Sequence, residues 1–380
     1  MILVIDVETS IKNKGNPFTI SNTLEYIGIY NITEDKYNIY IKDNIKSSIT
    51  EIQDLVNRSS LLIGFNFRFD LHWLRRAGIT WPITKTIWDA QLAKFILSKQ
   101  TKVFPSLNDC LQDYGLPLKL DTIENNYWSQ GVDTKEVPED LMVEYLKGDL
   151  LKTAQVYQHQ QQELTGNQLK LFRLQCRDLL VLEEMEWNGI KFDFSKAEEL
   201  AIKEEEKIQE LEKELRKGYG DTPINFDSND HLSRYLYGGQ IEEEYRLPIG
   251  VYKTGAKVGQ PRYKIFTQVY ELPKLLEPLK GSELKKEGYY ATNEPTLRQL
   301  RGRRESLQKV ELLLQRATAT KLLGTYYRGL RKTHEEMDWE DHYIHGQFNQ
   351  VVAATSRIAS SKPNLQNFAG KVKELIITRY

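Results

Sequence analysis

MILVIDVETS, residues 1–10, sets a run of Ile, Leu, Val and Ile ahead of two carboxylates, Asp6 and Glu8. An apolar run without alternation marks a strand buried on both faces, at the centre of a sheet. Side chains two apart on a strand project from one face, so Asp6 and Glu8 stand side by side where the buried run ends. Two like charges in such a place are costly unless a cation lies between them. Hard oxygen ligands select Mg²⁺ or Mn²⁺ for that role. Alone, D-x-E is a short pattern that a chain with 53 acidic residues also produces by chance.

The surroundings extend the strand into a sheet. LEYIGIYNI, YNIYIK and LLIGFN are rich in Ile, Tyr, Leu and Val and are separated by Asn, Lys, Gly and Asp, which predicts three further strands. DLHWLRRAG, WDAQLAKFILS, LNDCLQDYG and PEDLMVEYLKGDLLKTAQVYQHQQQEL carry helical spacing. In the last of them Met142, Leu146, Leu150 and Ala154 make an i, i+4 stripe. Strands first and helices later predict an α/β domain over residues 1–165, a mixed sheet with helices packed on it. From 166 the pattern turns helical: LKLFRLQCRDLLVLEEMEWNG is closed by Asn188-Gly189, and IKFD then reads as a short strand. Residues 238–292 read as a loop and hairpin insertion, and residues 296–332 as a pair of basic helices.

The chain has 380 residues, 40% hydrophobic and 28% charged, enough for two or three domains with cores of their own. It holds no apolar run near the roughly 18 residues of a membrane span, so no membrane partner is expected. Met1 leads directly into the first strand, with no basic region or cleavage site of a secretory signal. Two cysteines, Cys110 and Cys176, fit a reducing cytoplasm. Net charge is −1, but residues 298–332 hold ten Lys or Arg against Glu305 and Glu311. A local surplus of eight attracts polyanions, although such a run can also be a solvated helix face.

Two further stretches bear on Asp6 and Glu8. In LLIGFNFRFDLHWL a strand runs into Asn66, and Asp70 opens the next helix. In EYLKGDLLK, Tyr145 and Asp149 are four apart and share a helix face. Each has a plain alternative: Asp70 as a helix N-terminal acid favoured by the macrodipole, and Tyr145 as a half-buried ring beside a solvated Asp149. Together, D-x-E, N-x-x-F-D and Y-x-x-x-D resemble the Exo I, II and III motifs of the DEDDy 3′-to-5′ exonucleases, in particular the proofreading domain of family A DNA polymerases. WDAQLAKFILS and SLNDCLQDYGL are similar to that domain's non-catalytic helices.

The resemblance implies an RNase H-like exonuclease domain and hydrolysis of the terminal phosphodiester with two divalent ions, Mg²⁺ or Mn²⁺. By position, Asp6 would bridge both ions, Glu8 and Asp149 would complete one site, and Asp70 would hold the other. Tyr145, with Glu8, would orient the attacking water, and Thr9 and Asn66 match positions that hold terminal nucleotides. A histidine at the Tyr145 position would have meant the sister DEDDh class.

Beyond residue 165 the resemblance continues. VLEEMEWNGIKFD is similar to the palm entry of family A polymerases, and INFDSNDHLSRYLYGG to the base of their thumb. This implies a mainly helical thumb with the palm entry over 166–342, and a partial α+β palm over 343–380. Arg298, Arg301 and Arg304 fall where that thumb grips duplex DNA by its phosphates. TSRIASSKPNLQNF resembles the family's T-G-R-x-x-S-x-x-P-N-L-Q-N motif, with Ser356 where the family has glycine. By resemblance Arg357, Asn364, Gln366 and Asn367 would face the minor groove, whose acceptors are common to all base pairs. The alternative is a surface loop capped by its own Asn and Ser side chains.

The expected partners are therefore primer-template DNA and single-stranded 3′ ends. The family's first polymerase carboxylate motif is expected soon after this stretch, and the sequence ends at Tyr380. That predicts a chain that does not polymerise alone: either a truncated product or one half of a split polymerase whose second subunit supplies the remaining palm and fingers, in a compact phage-like enzyme acting in the cytoplasm. Two competing readings are a non-catalytic DNA-binding subunit of a split polymerase and a DEDDy ribonuclease.

Overall fold

The computed structural model describes residues 1–119, 121–368 and 370–378; positions 369, 379 and 380 of the expected palm segment lie outside them. The chain forms two compact units, Met1–Phe194 with Leu330–Tyr380, and Ser195–Gly329. Among the described residues no helix is long and apolar enough to cross a membrane.

The first unit is built on a five-stranded sheet of order β3-β2-β1-β4-β5. β1 (Ile2–Thr9) is central as its sequence predicts, with β2 (Leu24–Asn31) antiparallel on one side and β4 (Leu61–Gly64) parallel on the other. β3 (Lys36–Ile41) continues the antiparallel side and β5 (Ile87–Asp89) the parallel one. Leu3, Val4, Ile5, Ile27, Ile29, Leu62 and Ile63 are at most 1% exposed.

Two elements of the sheet domain have a weak sequence signal. Helix α1 (Lys42–Arg58) stands between β3 and β4 rather than after the strands. Its Asn, Ser, Thr and Ile content is poor in helix formers, but Ile45, Ile52 and Val56 make a buried stripe that fixes it. Strand β5 is three residues long, too short to show a period, and Asp89 at its end caps the next helix by accepting from the N–H groups of Gln91 and Leu92.

Next come α2 (Arg68–Arg76), α3 (Ala90–Leu97), α4 (Leu107–Asp113), α5 (Thr122–Asn126), α6 (Glu139–Glu163) and α7 (Gly166–Asn188). α6 matters most for the site. A Cβ on Gly28 of β2 would sit 2.8 Å from Leu146 Cγ and Leu150 Cδ1, so the bare glycine lets α6 settle onto the sheet. Gly28 pairs with Asp6 across the ladder. The expected strand IKFD begins as β6 (Ile190–Lys191), which pairs with a short strand at Tyr343–Ile344.

The second unit contains most of α8 (Phe194–Arg216), then α9 (Asn229–Tyr237), the long ribbon β7 (Gly239–Val251) and β8 (Pro261–Leu272), α10 (Glu294–Leu297) and α11 (Arg304–Lys321). Its core gathers Leu215, Phe226, Tyr235, Leu236, Leu272, Leu300 and Leu313. A π-helical turn, Leu322–Tyr327, joins α11 to α12 (Arg328–Met337).

Candidate active site

Asp6, Glu8 and Asp149 each place a carboxylate oxygen within 4.8 Å of the other two. β1 supplies the first two from one face, and α6 supplies the third because Gly28 allows its close approach. Asp70, in the first turn of α2, is 2% exposed, and its Oδ1 accepts from the Val7 N–H at 3.0 Å. That bond ties Asp70 to the strand between Asp6 and Glu8, which a solvated helix-end acid would not do. Asp149 is also buried, at 6%, so the plain reading of a solvated Asp beside Tyr145 does not hold.

Tyr145 lies one turn before Asp149, and its ring meets Trp128 edge to face at 5.6 Å. Its hydroxyl accepts from Lys119 Nζ at 2.9 Å, and the same ammonium pairs with Asp149. Lys119 is the residue beside the cluster that sequence reasoning missed. It lies in an irregular connection between α4 and α5, in a stretch with no period.

The electrostatics follow from crowding. Burial, then the facing Asp149, pushes the Asp6 carboxyl up to about 7, while Lys119 and the Val7 N–H pull it partly back. Burial, then Asp6 and Asp149, holds Glu8 well above the usual carboxylate range. Asp70 is likewise raised by burial and then by Asp6. Burial, then Glu8, Asp149 and Asp6, pushes the Tyr145 phenol upward, so it stays a neutral donor. Burial alone would lower Lys119; Asp149, Asp6 and Glu8 outweigh it and raise it. Several converging carboxylates with one ammonium make a site short of positive charge. An all-oxygen donor set of this kind fits Mg²⁺ or Mn²⁺.

The other expected residues lie apart in character. Thr9 is buried, its hydroxyl donating to Ser10 O at 3.1 Å and its carbonyl accepting from Thr134 Oγ1 at 2.6 Å. Asn66 is exposed, takes a left-handed φ of 53°, and lines a cleft of about 240 Å³ with Arg68, Gln91, Phe104 and Asn349. Arg357, Asn364, Gln366 and Asn367 are all exposed. Asn364 Oδ1 accepts from Gln366 N–H at 3.1 Å, and Gln366 Nε2 donates to Ile358 O at 3.0 Å, so two of the amides also organise their own loop. Ser356 has φ 56°, the left-handed backbone that glycine adopts without strain, and its Oγ is held by Gln100 Nε2.

The basic run of the second unit is partly neutralised within the fold. Arg316 is 6% exposed and bound by Glu212 at 2.7 Å and Asp227 at 2.9 Å. Arg328 pairs with Glu205 at 2.9 Å, and Arg298 with Glu294 at 2.8 Å. Arg301 bonds the carbonyls of Gln299 and Leu300, and Arg303 and Arg304 are exposed at the N-terminus of α11.

Residues 264–379 match the model of the family described as DNA polymerase family A. The chain is similar to DNA polymerase I of Bacillus subtilis, 26% identical over 289 residues that make up 76% of this chain and 27% of that protein. It is similar to the thermostable DNA polymerase I of Thermus thermophilus, 30% identical over 187 residues, 49% of this chain and 17% of that protein. Its fold is similar to that of the POL domain of Pol1 from M. smegmatis, solved in complex with DNA primer-template and dNTP. That match has a TM-score of 0.65 at 17% identity and covers 97% of this chain and 52% of that one. The chain thus spans less than a third of the length of these curated relatives, and its mixed sheet and helices make a family A polymerase-like fold.

Proposed function

Proceeding from this relationship to part of the family A DNA polymerases, we propose that the first unit is a 3′-to-5′ exonuclease that removes nucleotides from DNA 3′ ends, while the second unit holds DNA by its phosphates. The carrying observation is the cluster of Asp6, Glu8 and Asp149 within 4.8 Å, with Asp70 tied to the same strand at Val7. Asp6, Glu8 and Asp149 would hold one divalent ion, and Asp6 with Asp70 a second. When bound, the two ions supply the positive charge that activates water and stabilises the departing 3′ oxygen. The Tyr145 hydroxyl, neutral because burial and the carboxylates oppose its ionisation, orients the attacking water as a hydrogen-bond donor or acceptor. Thr9 ends β1 and Asn66 follows β4, the parallel neighbour of β1, and the two would position the terminal nucleotides.

Arg301, Arg303 and Arg304 support the second half of the proposal. Cations at a helix N-terminus oppose the macrodipole, an arrangement that suits an incoming anion better than the isolated fold. The experiment is digestion of a 3′-frayed, 5′-labelled DNA primer in Mg²⁺ by the parent chain and by Asp6→Ala combined with Glu8→Ala. Removing two ligands of a metal-dependent reaction should cost at least about 10³-fold in rate. A double variant that digests as fast as its parent ends this reading. Matched RNA and DNA primers in the same assay separate it from a ribonuclease.

A further inference from the structure

The cation inside the carboxylate cluster belongs to the protein. Lys119 sits between α4 and α5, its N–H anchored by Asn108 Oδ1 at 2.9 Å. Its side chain is 23% exposed, and its ammonium pairs with Asp149, donates to Tyr145 OH at 2.9 Å and lies 4.9 Å from the centre of the Tyr145 ring. It therefore touches two of the residues expected to act on the terminal phosphodiester. We propose that Lys119 is the site's internal counter-cation: it holds Tyr145 and Asp149 in place while no divalent ion is bound, and withdraws from Asp149 as an ion binds. The inference rests on the metal-dependent reading given above.

Two features favour this role over a chance ion pair. An exposed lysine gains little from a carboxylate because water screens the pair and side-chain entropy opposes it. Here Asp149 is 8% exposed at its side chain, and the lysine backbone is fixed by Asn108. The other carboxylates of the cluster lie within 4.8 Å of the Asp149 oxygens, so an ammonium on Asp149 is attracted by all three. Whatever stabilises the empty site must be overcome by the ion, so Lys119 lowers apparent ion affinity by the factor through which it stabilises the ion-free state. In return it keeps Tyr145 at the cluster when the site is empty.

Calorimetric titration of the full chain with Mn²⁺ tests this directly. Lys119→Met, which keeps the length and apolar stem, should bind Mn²⁺ about tenfold more tightly than the parent. It should also melt at a lower temperature in EDTA, with the difference shrinking in saturating Mn²⁺, and Lys119→Arg should return both readings toward the parent. Asn108→Ala, which loosens the lysine's backbone and leaves its ammonium, should move both readings the same way by less, and serves if Lys119→Met fails to fold. Variants that bind Mn²⁺ with the parent's affinity, or more weakly, overturn the counter-cation role while leaving the metal site intact. A parent chain that binds no Mn²⁺ overturns both the metal-dependent reading and this one.

Discussion

The carboxylate cluster of the first unit and the basic stretch of the second carry charge in opposite ways. In the cluster, residues distant in sequence, Asp6, Glu8 and Asp149, are brought together with the opposite charge of Lys119 on Asp149, and Asp70 is tied to the same strand at Val7. In the basic stretch, residues adjacent in sequence are dispersed around α11 and its neighbours, and several are matched by acids of their own unit. Sequence density and spatial density of charge therefore separate. A helix turns each consecutive residue through about 100°, which scatters a run, whereas a buried strand with a helix laid over it concentrates charges that the sequence keeps apart. Crowded, desolvated charges shift their proton affinities, and the cluster is where Asp6 is pushed up to about 7.

The sharpest way to break the cluster is to lift α6. Gly28→Ala puts a methyl 2.8 Å from Leu146 Cγ and Leu150 Cδ1, closer than packed carbons tolerate. The helix that carries Tyr145 and Asp149 has to shift outward. A displacement of about 1 Å in a positioned group costs on the order of 10² in rate, and overpacking costs about 1–3 kcal/mol in stability. Exonuclease rates on a frayed primer should fall by that factor, and Leu150→Ala in the same chain should recover part of the loss. Full activity in Gly28→Ala would mean that α6 is positioned by something other than this contact.

The same geometry explains what could be read in advance. MILVIDVETS announced a central strand with two carboxylates on one face because burial on both sides leaves an unalternating apolar run. The stripe Met142, Leu146, Leu150 and Ala154 marked the buried face of α6, which is the face that meets β1 and β2. Lys119 could not be read, since a lysine in an irregular connection has no period, and only the folded path of the chain brings it to Asp149. Arg316 misled for the reverse reason: as one of ten cations in a run it counts toward a basic face, yet Glu212 and Asp227 hold it inside the second unit. Ser356 stands between these cases. It stands where the family has glycine, and its φ of 56° lies in the left-handed region that glycine adopts without strain, with Gln100 holding the hydroxyl.

The basic stretch can be divided by two substitutions that look alike in sequence. Arg316→Ala removes a buried guanidinium from Glu212 and Asp227, and leaves Phe226 O without its donor at 3.2 Å. Because Asp227 and part of Glu212 reach solvent, the loss falls below that of a fully buried pair, at about 2–3 kcal/mol. Urea unfolding followed by amide exchange in residues 195–329 reads it, with little change in the salt dependence of DNA binding. Arg301→Ala with Arg304→Ala should do the opposite. Unfolding should move by less than about 0.5 kcal/mol, as for exposed substitutions, while the slope of log K against log salt for duplex DNA falls by roughly two, at about 0.9 for each phosphate left unneutralised. If the slope stays unchanged, these arginines do not meet phosphate, and the charge of the second unit belongs to its own fold rather than to DNA. If instead Arg316→Ala alone lowers the slope at unchanged stability, the buried pairing with Glu212 and Asp227 opens when DNA binds, and the contrast between the two regions narrows to one of degree.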